Sequence, residues 1–182
     1  CVNHHIMFSY HSFSFLKVFS VFVFLLKNRS NPAADFIAKF PSTSIESGDT
    51  IIIVLNEDYN DFYGDNFSPD FYLFGNANNS MLETEKGSFG GGIQKISDSS
   101  ELLILFMWDG DPSNPIKDVD YFIWGSTQSP IEKIDISGYQ NDTSAENQLY
   151  FEETPAKYYA FSRIGIEETG ESESGGNGIT GH

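Results

Sequence analysis

The chain is poor in the residues that nucleophilic and metal chemistry most often use. Its 182 residues include one cysteine, Cys1. An internal disulfide framework is therefore excluded, and so is a thiolate zinc cage. The four histidines are His4, His5, His11 and His182, so the segment from Asn31 to Gly181 holds neither His nor Cys. A Ser-His-Asp triad, a Cys-His pair and a His-ligated zinc site cannot be built from that segment. His4-His5 with His11 reads as a chance cluster. Bases are scarce as well: 10 Lys plus Arg stand against 26 Asp plus Glu, a formal charge of −16 with a pI near 4.3. Binding to a phosphate backbone needs clustered Lys and Arg, so a nucleic-acid partner is not expected. Long apolar runs are missing too. The charge-free stretch from Val18 to Leu26 is nine residues, whereas a helical bilayer span needs about 20, so no membrane span is expected.

What is present suits a packed core. Hydrophobic residues make up 40% and aromatic residues 15% of the chain, which argues against global disorder. The length fits one domain with a tail. Composition divides the chain in three. Residues 1–30 contain no Asp or Glu and carry Lys17, Lys27 and Arg29, a charge of +3, which leaves −19 for the remainder. This opening segment, rich in Phe, reads as a non-domain extension: a targeting remnant with an apolar stretch around Val18 to Leu26, or a fragment artefact. Residues 31–166 form the expected domain. Residues 167–182, dominated by Glu, Gly and Ser, read as a flexible acidic tail.

Within residues 31–166 the pattern is that of strands. Phe36, Ala38 and Phe40 alternate onto one face, and Pro41 follows. Thr50 to Leu55 is continuously apolar after Thr50 and mostly β-branched, as a strand buried on both faces would be. Asn56 is placed to cap a short helix over residues 57–63, with Gly64 as its stop. A strand is expected to begin at Phe71, and Glu101 to Trp108 supplies a second near-continuous apolar strand. Between Lys117 and Trp124 the residues alternate, with Val119, Tyr121 and Ile123 expected inward, and a last aromatic strand is expected from near Tyr158 to Arg163. Turn residues recur at the spacing of an antiparallel sandwich or barrel.

The order of these units resembles a known family. Ile45-Glu46-Ser47-Gly48-Asp49-Thr50-Ile51-Ile52-Ile53-Val54-Leu55-Asn56 resembles its turn-Gly-strand unit leading into a short helix. Ile96-Ser97-Asp98-Ser99-Ser100-Glu101-Leu102-Leu103-Ile104-Leu105 resembles its next central strand. Val119-Asp120-Tyr121-Phe122-Ile123-Trp124-Gly125 resembles the strand after the loop, and Phe161-Ser162-Arg163 its closing Ser-x-Arg edge. The family is the lamin-tail domain. The chain departs from it at residues 1–30, which lack the family's Ile-Asn-Glu-Ile opening strand, and at Ser100, where the family often has Gly. The resemblance implies an all-β, immunoglobulin-like antiparallel β-sandwich with one short helix. It also implies a non-catalytic accessory or interaction domain of a secreted or cell-surface bacterial protein, with a protein or surface glycan as partner. The chromatin role of nuclear lamins is not carried over, because the chain has neither heptads nor a basic patch.

Two alternatives stand beside that reading. The first is a calcium- or carbohydrate-binding β-sandwich module. Calcium takes oxygen ligands, and Asp109, Asp111, Asn114, Asp118 and Asp120 offer several within one short stretch, without the spacing of an EF-hand loop. A solvated acidic loop is the plainer account of the same residues. The second is a carboxylate-only hydrolase drawing on pairs such as Asp109/Asp111, Asp118/Asp120 or Glu152/Glu153. If Tyr121 and Ile123 point inward, Phe122 and Trp124 point the other way, either as an exposed interface pair or beneath a second sheet. Gly90-Gly91-Gly92 lacks the Gly-Lys-Ser/Thr ending of a phosphate loop and reads as a turn. Asn66-Phe67-Ser68, Asn78-Asn79-Ser80 and Asn141-Asp142-Thr143 fit the glycosylation pattern, as chance matches in an Asn-rich chain.

Overall fold

The computed structural model describes residues 5–9, 16–17, 21–26, 34–45, 50–58, 68–84, 86–89, 96, 100–109, 111, 113–114, 116–125, 135 and 144. These residues are strand-rich. The strands are β1 (His5–Ser9), β2 (Leu16–Lys17), β3 (Val21–Leu26), β4 (Ala34–Lys39), β5 (Ser44–Ile45), β6 (Thr50–Val54), β7 (Phe71–Tyr72), β8 (Leu82–Glu83), β9 (Ser100–Met107) and β10 (Lys117–Gly125). They form a five-stranded sheet in the order β10-β9-β3-β4-β8, a three-stranded sheet in the order β1-β6-β7, and the pair β2-β5.

Strand pairing joins residues on both sides of Asn31. β3 lies between β9 and β4 in the larger sheet, antiparallel to both, with Val23 opposite Leu105 on one side and Ala38 on the other. β1 pairs with β6 from His5↔Val54 to Ser9↔Thr50. The physical reason lies in length. A run such as Val21-Phe22-Val23-Phe24-Leu25-Leu26 is far too short for a membrane helix, yet it has the length and the β-branched and aromatic content of an ordinary strand.

β6 and β9 are central strands, as their continuous apolar runs predict, and burial follows the period of two. Ile51 and Ile53 join the larger core, while Val54 packs with Tyr72 on the other side of the same sheet. In β9, Leu103 and Leu105 face the larger core, and Leu102, Ile104 and Phe106 cluster with Tyr121 and Ile123 on the opposite face. The larger core draws on both sheets: Phe36 and Ala38 from β4, Leu103 and Leu105 from β9 and Trp124 from β10, with Ile51, Ile53 and Phe71 from β6 and β7. Edge-to-face ring pairs bind it, with Phe36–Phe74 centroids at 5.1 Å and Phe40–Phe71 at 5.2 Å. Such contacts add about 0.5–1.5 kcal/mol each beyond area burial.

The pairing is not wholly antiparallel. β6 and β7 run parallel, with Ile53 opposite Phe71 and Val54 opposite Tyr72. Parallel neighbours need a connection of about a dozen residues or more, and sixteen lie between Val54 and Phe71. The connection contains Asn56, whose Oδ1 accepts from the Asp58 N–H at 3.1 Å, the bond of a helix cap. The expected helix over 57–63 otherwise lies outside the described residues, as do the strand from Tyr158 to Arg163 and the tail from 167. Among the described residues no helix is long and apolar enough to cross a membrane.

Polar bonds from residues distant in sequence complete the strands. Asp70 Oδ2 accepts from the Ile52 N–H at 2.8 Å, and the Asp70 N–H donates to the Ile52 carbonyl at 2.9 Å. Tyr72 donates to the Asn79 carbonyl and accepts from the Met81 N–H, so the chain's own return covers the outer side of β7. On the β8 side, the Ile37 N–H donates to the Ser88 carbonyl at 2.7 Å, and the Ser88 hydroxyl donates back to the Ile37 carbonyl at 2.9 Å. Covered edges of this kind reduce association between chains.

Candidate functional site

The acidic stretch sits where an antiparallel pair turns. β9 and β10 pair from Met107↔Lys117 to Ser100↔Gly125, and the turn between them begins at Trp108. Asp and Asn favour such turns because their side chains accept from, or donate to, backbone groups a few residues on. The loop is built in this way. Asp109 Oδ1 accepts from the Asp111 N–H at 2.8 Å, and Asp109 Oδ2 accepts from the Asn114 side-chain amide at 2.7 Å. Asp111 Oδ1 accepts from the Ser113 N–H at 2.9 Å. The Asp111 carbonyl receives both the Asn114 N–H and the Trp108 indole N–H, each at 3.0 Å.

The electrostatics follow from these donors. The Asp111 N–H, and after it the Asn114 amide, hold the exposed Asp109 carboxyl below the ordinary carboxylate range. Hydrogen bonds to the ionised form favour it. Asp109 is therefore a fixed negative charge whose two oxygens already serve the loop.

The five residues expected to share a calcium site fall on the β9–β10 loop and on β10. Asp109, Asp111 and Asn114 lie together in the loop. Asp120 stands on β10, half-buried, with Oδ1 accepting from the Tyr121 N–H at 2.9 Å. The side chain of Asp118 lies outside the described residues. The pairing register shifts between Asp118 and Asp120: Asp118 is opposite Phe106, and Asp120 is opposite the next residue back, Leu105. Such a bulge bends the strand locally. Among the described residues, no group of three or more His, Cys, Asp or Glu is arranged to hold a metal ion.

Phe122 and Trp124 are not an exposed pair. Tyr121 and Ile123 do face one cluster, but the opposite side of β10 is covered as well. Trp124 is 6% exposed and belongs to the larger core, and Phe122 packs against that core. Their ring centroids are 5.3 Å apart. Of the two alternatives for this pair, burial beneath other elements is what the structure has. Alternation identified the face; which face meets solvent is a property of the neighbouring layer.

Three polar positions carry more than the sequence suggested. Asp70 completes the bonding of β6, and Ser88 that of β4. Glu101 is a carboxylate at 5% exposure, followed in its strand by the apolar run from Leu102 to Met107 and opposite Trp124 in the ladder. Its signal was present: it stands two residues before Leu103, on the parity that faces the larger core. No protein-family model, curated protein or solved structure matches the chain.

Proposed function

We propose that this chain is an immunoglobulin-like β-sandwich of the lamin-tail type, serving as a non-catalytic accessory or interaction domain of an exported or cell-surface bacterial protein. The observation that carries the reading is the shared core, in which Phe36, Leu103 and Trp124 of the five-stranded sheet pack in one cluster with Ile51, Ile53 and Phe71 of the three-stranded sheet. A chain that buries both faces of its central strands commits those residues to stability, and leaves loops and strand edges for recognition. The scarcity of histidine and cysteine supports the non-catalytic part: cysteine occurs once, at Cys1, and the stretch from Asn31 to Gly181 adds no histidine to His4, His5 and His11 of the opening segment. The partner is a protein or a surface glycan.

A calcium-binding module is the second reading. It is favoured by the clustering of Asp109, Asp111 and Asn114 in one turn, with Asp109 held ionised. It is weakened because those oxygens already accept from the loop's own donors.

One set of measurements separates these readings from each other and from a carboxylate hydrolase. The chain is incubated with a panel of glycosides, and its thermal melting is followed with and without millimolar calcium. The expected result is no turnover and a Tm that calcium leaves unchanged. A calcium-dependent rise in Tm, absent from the Asp109→Ala, Asp111→Ala double variant, would replace the proposal with the metal module. Turnover of any glycoside, lost on substitution of a carboxylate, would overturn it altogether.

A further inference from the structure

We draw no further inference here: the strongest candidate, the acidic side-chain cluster of Asp109, Asp111 and Asn114 in the turn between β9 and β10, belongs to the site already described, and no second observation in the structure points to a ligand there.

Discussion

Replacing Trp124 distinguishes a core residue from a recognition residue. In the structure this residue is 6% exposed and packs in the cluster that also holds Leu103, Leu105 and Ile53. Truncating a buried Trp to Ala removes its transfer energy and leaves a cavity, at a cost of about 3–5 kcal/mol. Folded domains hold roughly 5–15 kcal/mol in all, so the loss is a large share of the total. In a chain of this size it lowers Tm by about 6–20 °C. The assay is denaturant unfolding of wild type and Trp124→Ala, with fitted midpoints and slopes. The chain has two tryptophans, Trp108 and Trp124, so Trp108→Phe leaves Trp124 as the sole indole reporter. Acrylamide is expected to quench that reporter weakly in the native state and freely once unfolded. A loss under about 1 kcal/mol in Trp124→Ala, near the range of ordinary surface substitutions, would refute the placement. So would free quenching of Trp124 in the native Trp108→Phe variant, a test that remains available if Trp124→Ala does not fold.

Other perturbations probe separate parts of the molecule. The Asp109 carboxyl is held below the ordinary range by the Asp111 N–H and then the Asn114 amide. Its support of the loop is therefore fully present above the unfolded value of about 3.9 and lost as pH falls through the lower folded value. A carboxyl-detected NMR titration should place its midpoint below about 3.9, and Asn114→Ala should raise it; a midpoint unmoved by that substitution would contradict the bond between them. Ser88→Ala removes a hydroxyl that donates to the Ile37 carbonyl and accepts from the Thr84 N–H. The expected cost is about 1–2 kcal/mol, read from denaturant midpoints, with amide exchange accelerated at Ile37. Gly75 has φ of +149°, and a Cβ there would stand 3.2 Å from both Glu57 Oε1 and Ser80 Oγ. Gly75→Ala should thus lose about 1–3 kcal/mol through backbone strain, and an unchanged melting temperature would show that the turn adopts another conformation.

Much of the strand pattern was legible, and the reasons are local. Phe36, Ala38 and Phe40 alternate because successive side chains on a strand point to opposite faces, and all three are buried. The uninterrupted apolar runs of β6 and β9 required cover on both sides, and both have it. Acidic turn residues marked the β9–β10 loop. The loop's internal bonding was harder to read, because a carboxylate in a turn serves a cation and a backbone N–H with the same oxygens.

Composition and periodicity by themselves determined that this chain builds on strands, that β6 and β9 are inner strands, and that the stretch from Asn31 to Gly181 cannot assemble histidine or thiol chemistry. Those are properties of side chains and of the period-two backbone. Only the tertiary structure decided that β3, from the acid-free opening, pairs between β9 and β4, that β6 and β7 run parallel, and that Trp124 faces the core. Partner choice, strand direction and the identity of the wet face depend on what the rest of the chain brings alongside, and no residue carries that information in its own neighbourhood.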